Sequence, residues 1–499
     1  MADVCILGGG VNGLAAAATL AKAGRRVTLL EARGALGGLA AGEELAPGLS
    51  TFGDRLDAAP PVGLLDELEL ERHGLRWRDD VPPLLVADGE ADGLLVHAEP
   101  GPMWEQLPAA EAQRYADWRS ALARWTSPVR ALLTERPPDL KTRAPGELFA
   151  LAKHALSLRR LGDRDMHELM RVAPMAVHDW AHEIFTDARL RAAIAPRALA
   201  GTTAGPRSPG TCASLLLDEA LRGREPFGGG PALVAALTAC ARERGAELRT
   251  DARAEEILLD ADGVRGVRVA GGETVEARTV LSTADFATTM LALVDPAQLP
   301  DRMETAARVW KRRATTAVVH IALEAAPELP AAGGRPVERV SSATDLRAME
   351  RAADGPKHGR LAENSWSELR IHRPAEGSGA VVTMHVHGVP YALPEGGRET
   401  VEERALAQLE RLSPGSRGRV AATRTKTPAD LEREHGLAGG HLFHGEHILD
   451  QLWLQRPALS CSRYATPISG LYLGGGSVHP GGALPGGAGI LAARALVSG

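Results

Sequence analysis

Hydrophobic positions cluster first at the amino terminus. Val4-Cys5-Ile6-Leu7 is a short unbroken apolar run, the pattern of a strand buried on both faces. Gly8-Gly9-Gly10-Val11-Asn12-Gly13 follows at once. Leu14 to Ala23 is Ala-rich and predicts a helix ended by Gly24. Arg26 to Leu30 predicts a second strand, which runs into Glu31. Strand, G-x-G-x-x-G, helix, strand and acid in this order predict a dinucleotide-binding unit. Gly8 would permit the tight turn, Gly10 the approach of a pyrophosphate, and Gly13 close packing of the helix on the sheet. The helix N-terminus would offer unpaired N–H groups to phosphate, and Glu31 would take ribose hydroxyls.

The same reading extends along the chain. Phe227 to Pro231 precedes an amphipathic helix over Ala232 to Arg244, and a strand is predicted over Ala246 to Thr250. A hairpin through Asp262-Gly263 follows, then a buried strand at Val280 to Ala284. Residues 105–200 carry helical periodicity with few glycines, and Thr202 to Gly210 reads as a loop. Strands are predicted at Ala317 to Leu323 and Ala380 to Val386. In the second, Val381, Thr383, His385 and His387 alternate with Val382, Met384 and Val386, as in a half-buried strand. Near the end, Gly470 to Gly475 reads as a strand closing in glycines. A glycine loop over Gly481 to Gly489 and a helix from Ile490 to Val497 follow. That closing helix would aim N–H groups at a bound dinucleotide.

Composition narrows the class. The 499 residues exceed one ordinary core, so two or more domains are expected. A net charge of −6 without a basic block argues against a nucleic-acid partner. The four cysteines, Cys5, Cys212, Cys240 and Cys461, form no C-x-x-C pair, which argues against zinc or thiol–disulfide chemistry and suits a reducing compartment. The apolar stretch Val4 to Ala23 has no preceding basic residue and is broken by glycines. It is therefore not taken as a signal or membrane segment, and a cytoplasmic location is expected.

Arg33-Gly34-Ala35-Leu36-Gly37-Gly38 resembles the R-x-x-x-G-G extension of the FAD-dependent amine oxidase superfamily. Within it, the chain resembles the phytoene-dehydrogenase-like branch named for the pyridine-nucleotide-disulfide-oxidoreductase-domain protein two. Gly42 to Gly48 is similar to that branch's T-E-E-x-x-P-G-F segment, and Gly436 to Glu446 to its G-L-x-G-G-x-I-F-H-G signature. Asp450-Gln451-Leu452 and Arg456-Pro457 follow as in the branch. His479-Pro480-Gly481-Gly482 matches its H-P-G-G, and Leu484-Pro485-Gly486 is similar to the desaturase I-P-G. Val11, Leu49-Ser50-Thr51, Asp54-Arg55-Leu56 and Ser477 depart from the usual residues.

The resemblance implies an α/β fold: a discontinuous Rossmann-like FAD-binding domain of amine-oxidase type (1–80, 225–290 and 455–499) and a mixed α+β substrate domain (81–224 and 291–454). FAD would be held by Gly8, Gly10, Val11, Asn12, Gly13, Glu31, Ala32, Arg33, Gly37, Gly38, Leu39, Ala254, Gly475, Leu484, Pro485 and Gly486, with Ala254 at the adenine. The expected reaction is hydride transfer from a largely apolar small molecule to flavin N5. The alternatives are an amine oxidase, a reduced-flavin polyene isomerase, or a non-catalytic FAD-binding scaffold.

His444, His385 and Tyr391 are the candidate catalytic residues. His444 could equally serve a tight loop, and Tyr391 or Trp366 could simply pack. Glu446 is expected to be a solvated acid rather than a partner of His444, and His479 to support the flavin loop. No metal site is expected. Thr315-Thr316 lies where an amine oxidase would carry its lysine, and Lys311 is the nearby alternative. Trp104, Trp118 and Trp125 could form a peripheral membrane patch, although helix packing explains them as well. The oligomeric state is left open.

Overall fold

The computed structural model describes residues 2–56, 59–139, 142, 144–374, 376–482 and 485–498. Its first layer is a five-stranded parallel sheet. The strands, in spatial order, are Leu471–Leu473, Val280–Ser282, Val4–Leu7, Val27–Leu30 and Glu247–Arg249. Val4–Leu7 and Val27–Leu30 are buried throughout because helices cover the sheet. The helix Val11–Lys22 is almost wholly buried, and its alanines let the helices Gly229–Glu243 and Gly487–Ser498 approach closely. The chain leaves Val4–Leu7 towards one edge and later fills the other. Its carboxyl end is therefore a switch point, where open parallel sheets bind ligands. A small antiparallel layer, Ala254–Asp260, Gly263–Val269 and Thr274–Glu276, stands beside this sheet.

The second layer is a seven-stranded sheet. Its order is Val420–Lys426, Thr316–Leu323, Ala380–His387, Ser367–His372, Arg339–Ser341, Leu84–Val86 and Leu94–Val96. Only the pairing of Arg339–Ser341 with Leu84–Val86 is parallel. One face is apolar: Val319, Ile321, Val382, Met384 and Leu369 pack with Val401, Ala405 and Leu409 of the helix Gly397–Leu412.

The opposite face corrects the half-buried strand read from the sequence. The alternation at 380–387 is real, but the polar side is also buried. It faces the loop that carries Asp54, because His385 Nε2 lies 2.8 Å from the Asp54 carbonyl oxygen. Cross-strand register puts Lys426 opposite Val318, His320 opposite Thr383, Glu368 opposite His385, and Arg370 opposite both Thr383 and Arg339. Directly paired residues share a face, so this inner face is built largely from charged and imidazole side chains.

Helices Ala109–Thr134, Pro145–Arg159, Gly162–Val172, Val177–Ile184, Ala188–Leu199 and Thr211–Leu221 form the remaining layer. Trp118 and Trp125 are buried there, and each ring centroid lies 6.2 Å from that of Trp180. Trp118 and Trp125 thus serve helix packing, the favoured reading, and only Trp104 of the three is exposed. Among the described residues, no helix is long and apolar enough to cross a membrane.

Candidate active site

The cofactor cleft is a cavity of about 370 Å3 at the carboxyl ends of Val4–Leu7 and Val27–Leu30. Gly8 has φ +99°, and its N–H donates to the Leu30 carbonyl at 2.9 Å, turning the chain into the helix. A Cβ on Gly13 would sit 1.9 Å from the Gly8 carbonyl oxygen, so no side chain fits there. A Cβ on Gly10 would meet nothing within 4 Å, which leaves its backbone open to a ligand. The helix start at Val11 has no side-chain cap, so its first N–H groups remain available to phosphate.

Glu31 is held at the cleft edge. Gly9 N–H donates to its Oε2 at 2.6 Å and Arg33 N–H to its Oε1 at 2.8 Å. Gly37 N–H donates to the Gly9 carbonyl at 2.7 Å, which folds the second glycine pair onto the first loop. The closing helix arrives from the other side: Gly489 N–H donates to Asn12 Oδ1 at 3.3 Å. Two helix N-termini thus converge on one cleft.

Gly8, Gly10, Val11, Asn12, Glu31, Ala32, Arg33, Gly37, Gly38, Leu39, Ala254 and Pro485 all line this cleft. Gly13 and Gly475 act behind the wall. A Cβ on Gly475 would come 2.4 Å from the Thr283 carbonyl oxygen, so its role here is close backbone packing. Gly486, at φ +88°, shapes the entry to the closing helix against Leu65 and Val11. Leu484 lies outside the described residues.

Of the three catalytic candidates, His444 enters the cleft wall. It sits in a left-handed turn at φ +54°, and its Nδ1 is buried without a hydrogen-bond partner. Burial, then the positive charges of Arg456 and Arg55, pull its pKa down to about 4, so the ring is neutral near pH 7. Arg456 fixes this loop. Fully buried, it donates to the carbonyls of Gly476 at 2.8 Å, Phe443 and Glu446 at 3.1 Å, Gln451 at 3.2 Å and Gly445 at 3.3 Å. It thereby ties the His444 turn to the glycine-rich return. Sequence placed Arg456 beside a proline but carried no signal of this task.

His385 lines an adjoining inner cavity of about 90 Å3, and burial lowers its pKa to about 4. His387, on the same face, lies 3.1 Å from Glu368 and stacks on Trp366 at 3.9 Å between ring centroids. Tyr391 is exposed and donates its hydroxyl to Glu432, away from both cavities. Glu446 is not the solvated acid expected. It is 1% exposed and holds Arg313 at 2.8 Å and Thr203 at 3.0 Å, because the turn around His444 folds it inward. His479 is fully buried outside the cleft lining.

Sequence reasoning missed a buried ionic cluster beside the cleft. Asp54 is approached by His320 Nε2 at 2.8 Å, His435 Nε2 at 2.8 Å and Lys426 Nζ at 2.8 and 3.0 Å. Hydrogen bonds from His320 and His435 and the charge of Lys426 outweigh burial and hold its carboxyl well below the usual range. His435 also lies 3.0 Å from Arg33, so the cluster reaches the phosphate side of the cleft. Glu43, Asp54 and His320 offer the close donors of a cation site, and the Lys426 ammonium fills that role, 2.9 Å from Glu43. Lys311 instead pairs with Asp450 at 2.6 Å on the surface. The available signal for the cluster was His320, a lone polar residue inside an otherwise apolar strand.

The inner cavity shares Arg55 and Leu442 with the cofactor cleft. Its other side is mixed. Leu56, Leu217, Leu369 and Phe443 supply apolar surface, and Arg197, Arg222, Arg339 and Arg370 supply charge. A wholly apolar substrate does not match this lining.

Two converging helix N-termini, an open glycine backbone and a ribose-side acid fit a flavin dinucleotide, and so define a dinucleotide-binding flavoprotein with a second sheet closing over the cofactor. The chain belongs to the flavin containing amine oxidoreductase family, whose match spans residues 12–497. It is 28% identical to pyridine nucleotide-disulfide oxidoreductase domain-containing protein 2 of Rattus norvegicus, over 99% of this chain and 92% of that protein. It is 26% identical to hydroxyneurosporene desaturase of Rubrivivax gelatinosus, over 99% and 93%. Cyclohexylamine oxidase from Brevibacterium oxydans shares the fold with a TM-score of 0.60 at 14% identity, covering 100% of this chain and 98% of that one. The protein is an FAD-dependent oxidoreductase.

Proposed function

We propose that the chain is a dehydrogenase that oxidises a C–C single bond of a small molecule with an apolar body. The observation that carries this reading is the shared wall: Arg55 and Leu442 belong both to the cofactor cleft and to the closed inner cavity, with His444 beside them. FAD supplies the two-electron acceptor when bound. The chain supplies the rest. Leu56, Leu217, Leu369, Leu442 and Phe443 exclude water from the substrate side. The neutral His444 ring lines the cofactor cleft, where it orients the bond to be oxidised and accepts the proton that leaves with it. Arg456 keeps that ring in place.

The dehydrogenase reading is favoured over an amine oxidase by Thr315-Thr316, which stands where such an oxidase would carry its lysine, while Lys311 pairs with Asp450 on the surface. Four free, buried cysteines accord with a cytoplasmic setting.

The test is anaerobic mixing of the flavin-loaded protein with panels of saturated and partly unsaturated small molecules, including amines. The visible flavin absorption should bleach with one non-amine class. His444→Gln should retain flavin but bleach about 100-fold more slowly or worse. Bleaching by amines alone, or an unchanged rate in His444→Gln, would overturn the assignment.

A further inference from the structure

The strand Val420–Lys426 runs directly into the helix Pro428–His435. Thr427 and Asp430 close a capping box at the helix start, and Gly436, at φ +66°, ends the helix. Two residues of this unit grip one carboxylate. Lys426 Nζ lies 2.8 and 3.0 Å from the oxygens of Asp54, and His435 Nε2 lies 2.8 Å from Asp54 Oδ2. His435, Gly436 and Leu437 then enter the wall of the cofactor cleft. A strand–helix unit of the second layer therefore contributes to the cleft.

On the other side of the ring, His435 Nδ1 lies 3.0 Å from a terminal nitrogen of Arg33. A guanidinium can only donate, so Nδ1 accepts and the ring proton sits on Nε2, beside Asp54. Arg33 lies 402 residues away in sequence and lines the same cleft. Among the described residues, its guanidinium pairs with this imidazole and with no carboxylate. The choice of partner matters. A carboxylate would fix the arginine but cancel the charge that draws phosphate. A neutral imidazole fixes it and leaves the charge in place. A long side chain that is already ordered also loses less freedom when the ligand arrives.

We propose that His435 is a positioning residue for the cofactor: steadied by Asp54, it holds the Arg33 guanidinium ready for the phosphates of FAD. The role rests on FAD occupying the cleft and not on which bond the flavin oxidises.

The experiment dilutes the flavin-loaded protein and follows the fluorescence of released flavin, which gives the dissociation constant of FAD without turnover. His435→Leu should raise that constant about tenfold. Arg33→Met should raise it at least as much. The double variant should be no weaker than Arg33→Met alone, because the imidazole acts through the arginine. His435→Gln, whose amide oxygen can accept from Arg33, should recover part of the loss. Unchanged FAD affinity in His435→Leu, a Gln variant as weak as the Leu variant, or losses that multiply in the double variant would each overturn the role. If His435→Leu does not fold, His435→Ala takes its place in the same cycle. Unaltered protein without flavin would sink the cofactor itself, whereas full affinity in the His435 variants sinks only this role.

Discussion

The cofactor cleft and the inner face of the second sheet are built on opposite plans. The cleft meets its ligand with backbone: the open Gly10 and the uncapped start of the helix Val11–Lys22 face it, and one acid, Glu31, adds a side chain. The inner sheet face uses side chains almost alone, with Asp54, His320, Lys426, Glu368 and Arg370 matched across strands far apart in sequence. The first plan tolerates no added atom at Gly13 or Gly475, because backbone approaches backbone there. The second tolerates changes of shape but not of charge, because each buried ion depends on its partners.

Gly13→Val should be the most damaging change. Its side chain would enter space held by the Gly8 carbonyl, 1.9 Å from the first added carbon. Purified protein should carry no flavin and melt earlier. Retained flavin would show that the cleft wall yields, and the contrast between the two regions would fail.

Asp54→Asn attacks the other plan. It removes the carboxylate that His320, His435 and Lys426 share and leaves Lys426 with Glu43 at 2.9 Å, at a cost of about 3 kcal/mol in chemical denaturation. The double change Asp54→Leu with Lys426→Met should regain much of that, since an apolar pair of similar size replaces the ions. Equal losses in single and double variants would mean that shape rather than charge is what this region requires.

The smallest expected effect is on pH. His385 and His444 have folded pKa values near 4, below the ordinary 6.5. The unfolded chain therefore binds more protons between those values, and stability should fall as pH drops from about 6.5 to about 4. Thermal melting across that window should show the decline, with a shallower slope in His444→Gln. A slope unchanged by that substitution would remove His444 from the set of buried neutral histidines.

The same contrast explains what was legible in the sequence. The parallel sheet and its turns were read almost to the residue, because Gly8 to Gly13 and Glu31 act through local spacing. His444 was reached because it sits within a contiguous motif. Arg456, Asp54 and Lys426 were not, because their partners lie 5 to 372 residues away and are set by loop path and strand register. Tyr391 misled for a related reason: adjacency to the strand ending at His387 says nothing about which way the following turn carries a ring.

The central claim is that one flavin dinucleotide occupies the cleft between the two helix N-termini. The visible absorption spectrum of the purified protein, with released cofactor identified by mass, tests it directly. The account predicts one FAD per chain, lost in Gly13→Val. Correctly folded protein that contains no flavin and takes up none from added FAD would contradict it.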